Sequence, residues 1–272
     1  MNLEPATLNL HPIPMIFTDT HTHIYSEEFD VDRDTMMKRA LEENVSTIFL
    51  PAIDSAYHQK MLHAVAQFPQ TCIPMMGLHP TSVKSDYARE LKIVENYLSD
   101  ESQRFYAIGE IGIDLYWDKT YASEQEEAFN LQLEMAARYD LPVIIHTRNS
   151  MDVVFDILEK RHDLLPGGIF HCFGGNIKQA TRAINLGFLL GIGGVITYKN
   201  SGLQQVVENV GLENLVLETD APWLTPVPYR GSRNEPSYIP IIALKIAEIK
   251  NVTIQEVAET TTANAMSLFR LG

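Results

Sequence analysis

The chain has 272 residues, 45% of them hydrophobic and 21% charged, an ordinary globular composition that can bury a core without disulfides. Its two cysteines, Cys72 and Cys172, lie in apolar runs and read as buried thiols in a reducing compartment, and no stretch approaches the ~18 consecutive apolar residues of a membrane span. The formal net charge of −14 argues against a large non-specific surface for duplex nucleic acid, while bound cations can still reverse the local field for a phosphate substrate.

Residues 1–14 contain no Lys or Arg and carry Pro5, Pro12 and Pro14, so they read as a short N-terminal arm rather than a signal peptide. A single domain over 15–272, cytoplasmic and monomeric, is expected. From residue 15 onward one unit recurs: a short β-rich run, a turn, then an amphipathic stretch. Strands are predicted over 16–19, 47–51, 72–77, 106–109, 142–146, 168–171, 188–192 and 215–219. Several are nearly all apolar, as expected of strands covered on both faces. Helices are predicted between them over 32–43, 56–67, 89–98, 124–139, 151–161, 177–186 and 203–210, then over 239–250, with an extra C-terminal helix over 253–269. Ser123-Glu124-Gln125-Glu126 and Thr253-Ile254-Gln255-Glu256 read as capping boxes, and Asn176 as an N-cap. Eight such alternations predict an α/β fold, a (β/α)8 TIM barrel. An open doubly wound sheet is the alternative, but the first βα turn lacks the Gly-x-Gly-x-x-Gly of a dinucleotide-binding Rossmann unit.

The strand ends carry the chemistry. The first runs through Thr18-Asp19-Thr20-His21-Thr22-His23, where residues i and i+2 of an extended chain point to one side and can share an ion. The fourth runs into Gly109-Glu110-Ile111-Gly112-Ile113-Asp114, the fifth ends at His146, the sixth at His171 and the eighth at Glu218-Thr219-Asp220. In a barrel all C-terminal strand ends face one mouth, so His21, His23, Glu110, His146, His171 and Asp220 converge there as metal ligands. Six ligands exceed the three or four of a single zinc site, which points to two divalent cations. Glu110 is the candidate bridge, with His21, His23 and Asp220 on one ion and His146 and His171 on the other. Asp220 is also the candidate to orient a water or accept its proton, so Glu110 and Asp220 are the catalytic candidates. His79 follows the third strand and is either a substrate contact or structural. His58, His63 and His162 lie in helical stretches and are expected at the surface, and His11 in the arm carries no signal. Arg148, Arg230 and Arg233 are candidates to hold phosphate by bidentate hydrogen bonds. Trp223 and Tyr229 in the Pro-rich loop after strand eight can stack a base or simply pack that loop.

These motifs occur together and in order: Asp19-Thr20-His21-Thr22-His23, Gly77-Leu78-His79-Pro80, Gly109-Glu110-Ile111-Gly112-Ile113-Asp114, His146-Thr147-Arg148, Phe170-His171-Cys172-Phe173-Gly174-Gly175, Glu218-Thr219-Asp220-Ala221-Pro222 and Arg233-Asn234-Glu235-Pro236. From about residue 16 to the end the chain resembles the TatD family of metal-dependent deoxyribonucleases. The resemblance implies a barrel of the metal-dependent hydrolase superfamily and DNase activity, often 3′→5′ exonucleolytic, with Zn, Mg or Mn. It implies DNA as partner and a role in DNA repair or degradation, and the acidic net charge favours strand ends or short single strands over tight duplex binding. The family's ligands fall on the same six residues, and its chemistry adds Glu218 as an acid behind them. Asn149, Trp223 and Gly175 depart from the family's usual residues, none of them a ligand. The alternative is a hydrolase of small amides, lactones or phosphotriesters on the same site. A non-enzymatic binding protein with structural metals is the third reading.

Overall fold

The computed structural model describes residues 15–161 and 167–271. The arm, His11 and His162 lie outside these described residues. Eight parallel strands follow one another around a ring: β1 Phe17–Asp19, β2 Val45–Leu50, β3 Cys72–Pro74, β4 Ile108–Asp114, β5 Val143–Arg148, β6 Gly168–Phe170, β7 Phe188–Ile192 and β8 Leu215–Leu217. The ladders run β1-β2-β3 and β4 through β8 in sequence order. Between β3 and β4 the ring is completed by a bridge from Met76 to Ile108, and between β8 and β1 by Thr20, whose amide and hydroxyl both donate to the Leu217 carbonyl. The fold is a TIM barrel, as predicted.

Helices α1 Arg33–Glu42, α2 Ser55–Gln67, α3 Tyr87–Leu98, α4 Ala122–Tyr139, α5 Met151–Glu159, α6 Ile177–Asn185, α7 Leu203–Asn209 and α8 Ile239–Lys250 follow the strands in turn. Asn176 caps α6 in a full capping box with Gln179. The final helix, α9 Ile254–Leu268, is capped by Thr253, which accepts from the Glu256 amide. The capping box predicted at Ser123 does not form, because α4 already begins at Ala122 and Ser123 lies inside its first turn. Among the described residues, no helix is long and apolar enough to cross a membrane.

Side chains alternate along each strand, and this period of two fills the barrel. Phe49, Met75, Ala107, Ile144, Ile169 and Val216 form one buried cluster, joined by Ala265 and Phe269 at the end of α9. The Phe269 ring stacks on Phe49 with centroids 3.8 Å apart. Helix α9 also spans the seam of the barrel, with Thr262 donating to the Ile16 carbonyl and Asn264 to the Leu215 carbonyl. Two residues beyond Ile144, Ile169 and Val216 the same strand faces carry His146, His171 and Glu218. The barrel axis is thus apolar at one end and polar at the other.

Strand β4 is longer than predicted. It continues past Gly109 to Asp114 and pairs Gly112 with His146 and Asp114 with Arg148. Gly112 permits this: its φ is +139°, and a Cβ there would sit 2.1 Å from the His146 carbonyl oxygen. Both carboxylates of this strand are therefore held inside the sheet rather than on a loop.

Two histidine and arginine expectations change at this level. His58 is buried, edge-on to Tyr97 with centroids 5.3 Å apart, and not at the surface; it sits on the inner face of α2, where burial holds its imidazole below the ordinary value. Arg233 is bound to Asp32 in a two-pronged pair of 2.7 and 2.8 Å and also donates to the Glu28 carbonyl. Arg39 bridges the same Asp32 to Glu235. Arg233 pulls the Asp32 carboxyl down to about 2, below the ~3.9 of an unfolded chain. A carboxylate depressed in the folded state adds stability that is complete above pH ~4 and disappears as pH falls toward ~2. Arg233→Ala is expected to flatten the pH dependence of urea unfolding across that window. At pH 7 it should cost on the order of 1 kcal/mol, since the pair is partly solvated.

Candidate active site

The segment after β1 is stitched by alternate residues. Thr20 and Thr22 turn toward neighbouring strands, where the Thr22 amide donates to the Phe49 carbonyl. His21 and His23, which alternate with them, turn inward. Asp19 accepts from the Thr219 amide, the Thr219 hydroxyl and the His21 amide, which ties β1 to the end of β8. The Asp220 amide in turn donates to the His21 carbonyl. Asp220 has φ +55° and Cys172, just after β6, has φ +45°. These left-handed residues turn the chain out of the barrel while the carboxylate of Asp220 stays over its axis.

Around Glu110 the ring closes. Its Oε2 lies 3.1 Å from His21 Nε2 and 3.7 Å from His23 Nε2. Its Oε1 lies 2.8 Å from His146 Nδ1, 3.4 Å from His79 Nε2 and 3.7 Å from His171 Nε2. Asp220 Oδ1 stands 3.7 Å from His23 Nε2 and 3.8 Å from both His21 and His171 Nε2. Four trios among these residues and Cys172 have ligand atoms within 4.8 Å of one another, among them His21–His23–Asp220 and His79–Glu110–His146.

The hydrogen bonds behind the ring set which nitrogen faces it. His23 donates through Nδ1 to the Tyr25 hydroxyl at 2.8 Å, and that hydroxyl donates to the Pro51 carbonyl. His171 Nδ1 faces Glu218 Oε1 at 3.2 Å, and the same oxygen accepts from the Cys172 amide. Glu218 fits because residue 191 is glycine: a Cβ there would lie 2.2 Å from its Oε2. His23 thus presents Nε2 inward with a free lone pair, and His171 turns its Nε2 toward Glu110 and Asp220. His146 is placed differently, donating through Nδ1 to Glu110 and through Nε2 to Asp114 at 2.9 Å.

Electrostatics follow from this arrangement. Burial, then repulsion by neighbouring imidazoles, holds His21 and His23 below the ordinary histidine value, and burial does the same to His171. Burial also opposes charge on His146, but its bonds to Asp114 and Glu110 prevail and lift it to about 9. Burial opposes charge on Glu110 too, yet the imidazoles around it hold it well below the carboxylate range. Burial pushes Asp220 and Glu218 up to about 7 and Asp19 to about 8. The ionised Glu110 beside the neutral imidazoles of His21, His23 and His171 is a donor set for borderline divalent cations, and a cation bound there would displace a proton from His146. The Nε2 atoms of His21 and His23 face each other at 3.2 Å with Glu110 beside them, a gathering that a cation would satisfy. The residues therefore fit a metal centre.

All six predicted ligands meet in this ring, and His79 joins them through Glu110. Arg148 reaches the cleft above it, a cavity of about 490 Å³ also lined by Trp117 and Trp223. Arg230 and Arg233 do not line that cleft. Arg230 lies over the Tyr198 ring at 4.3 Å, and Arg233 is held by Asp32. Asp114, Trp117 and Tyr25 were not singled out from sequence. Cys172 is half-buried and, unlike buried Cys72, borders a second hollow beside His171.

A (β/α)8 barrel with histidines and carboxylates gathered at the C-terminal strand ends defines the class of metal-dependent hydrolases. The family model for TatD related DNase matches residues 18–270. The chain is 36% identical over 258 residues to the protein named "Uncharacterized metal-dependent hydrolase YabD" of Bacillus subtilis (strain 168), covering 94% of this chain and 100% of that one. It is 32% identical over 259 residues to "3'-5' ssDNA/RNA exonuclease TatD" of Erwinia tasmaniensis, covering 93% and 99%. The crystal structure of YjjV, a TatD homologue from Escherichia coli K12, superposes with a TM-score of 0.88 at 33% identity, covering 94% and 98%. The chain belongs to the TatD family and is a metal-dependent hydrolase.

Proposed function

We propose that this hydrolase cleaves phosphodiester bonds of DNA, acting 3′→5′ on single strands or strand ends, with two divalent cations. The observation that carries the reading is the division of imidazoles between the two oxygens of Glu110: His21 and His23 at Oε2, His146 and His171 at Oε1. Glu110 would bridge the cations, with His21, His23 and Asp220 holding one and His146 and His171 the other. Divalent cations in such a site neutralise phosphoryl charge and acidify water. Asp220, which lines the cleft and faces three imidazoles, takes the proton of the attacking water. Arg148 is exposed and forms no ion pair with a carboxylate among the described residues, so its guanidinium is available to a phosphate. His79 is oriented by Thr81 through Nδ1 and offers Nε2 to a phosphoryl oxygen beside Glu110. Glu218 and Tyr25 keep His171 and His23 turned inward. The strand polarity and the choice of a nucleic acid draw on the exonuclease relative, whose name covers both ssDNA and RNA.

The test is turnover of a panel by one metal-loaded preparation: 5′-labelled single-stranded DNA, the same sequence in RNA, a blunt duplex, and a small neutral ester. Stepwise shortening of the DNA strand from its 3′ end is the expected result. Turnover of the ester with every strand left intact would assign the site to small molecules instead.

A further inference from the structure

The chain contains two tryptophans, and both stand at the mouth of the catalytic cleft. Trp117 is 68% exposed and Trp223 47%. Trp117 follows β4 and Trp223 follows β8, four strands apart in a ring of eight, so they approach from opposite sides of the mouth. Each is tied through its backbone amide to an acidic residue of the centre. Asp114 Oδ1 accepts from the amides of Tyr116 and Trp117 at 2.9 and 3.2 Å, and the Trp223 amide donates to the Asp220 carbonyl at 2.9 Å. The Trp223 carbonyl is further held by Asn234, and its ring stands 5.2 Å from that of His23. The guanidinium of Arg148 lies 4.0 Å from the Tyr116 ring centroid and 5.0 Å from that of Trp117. The rim therefore carries two exposed indoles, with the guanidinium of Arg148 on the Trp117 side.

Aromatic faces as exposed as these do not serve the core. Their chemistry suits a flat, π-faced ligand carrying a phosphate. A chain of net charge −14 gains little from general attraction to a polyanion, whereas stacking does not depend on net charge. Resting on the nucleic-acid function above, we propose that Trp117 and Trp223 form a stacking clamp for unpaired bases, which selects single-stranded over paired substrates. Bases in a duplex have both faces occupied and cannot enter between the indoles. Arg148 holds the phosphate between the clamped base and the ring of ligands.

Because no other tryptophan is present, intrinsic fluorescence reports on the clamp directly. The metal-loaded protein is titrated with a five-nucleotide phosphorothioate strand, an abasic strand of equal length, and a blunt duplex. In parallel, cleavage of an unmodified strand is followed. Saturable quenching by the base-bearing strand alone is expected. Trp117→Ala and Trp223→Ala should each raise its Kd about tenfold, and the Phe replacements should restore most of the affinity. The dependence of log Kd on log salt should stay shallow, as for one phosphate contact. Equal quenching by the abasic strand or the duplex, or unchanged Kd in both Ala variants, overturns the clamp. Cleavage without quenching overturns the clamp and leaves the nuclease. Quenching without cleavage keeps the clamp and removes the nuclease, and the absence of both removes both.

Discussion

Glu110→Ala is expected to reduce strand cleavage by about 10³-fold or more, the scale on which loss of one preorganised electrostatic group is felt. The carboxylate lies within 3.7 Å of every imidazole of the ring, with His21 and His23 at one oxygen and His79, His146 and His171 at the other. Glu110→Gln keeps the volume and removes the charge, so it should be nearly as inactive. Side-chain replacement at the mouth leaves the apolar half of the barrel intact, so circular dichroism and the melting temperature should change little. Residual activity of a tenth or more in both variants would remove Glu110 from the chemistry.

Asp19→Ala should cost about 3 kcal/mol of unfolding free energy in urea. Three donors lose their acceptor in a fully buried site: the Thr219 amide, the Thr219 hydroxyl and the His21 amide. Each unsatisfied group costs about 1–3 kcal/mol, partly offset because the buried carboxyl is itself expensive. Asp19→Asn keeps an oxygen for the amides and offers its NH₂ to the Thr219 oxygen, so it should cost only about 1 kcal/mol. Activity should fall in the Ala variant as well, since the same three bonds hold His21 against Asp220 across the seam. If Asn and Ala are equally destabilising, hydrogen bonding is not what Asp19 contributes.

Much of this site was legible because a barrel converts a period of two into a direction. Ile144 and Ile169 point into the barrel, so His146 and His171 do as well. The pair His21 and His23 follows from the same rule. What could not be read depends on distant partners. Arg233 looks like a free loop cation until Asp32, 201 positions away, is seen to hold it. The role of Asp114 requires β4 to run on past Gly109, which depends on the close approach of Gly112 to the His146 carbonyl. His58 sits on a helix whose polar and apolar residues alternate too evenly to show that it faces inward. Trp117 gave no signal at all, because an aromatic after a strand is as often packed as exposed.

The most direct test of a two-cation hydrolytic centre joins ion counting to catalysis. Metal-stripped protein is titrated with Mn²⁺ or Zn²⁺, bound ions are counted by elemental analysis after desalting, and cleavage of a 5′-labelled single strand is measured at each step. Activity should be absent in the stripped protein, rise as ions bind and level off at about two per chain. Full cleavage by the stripped protein in the presence of a chelator, or a plateau with no ion retained, would contradict it.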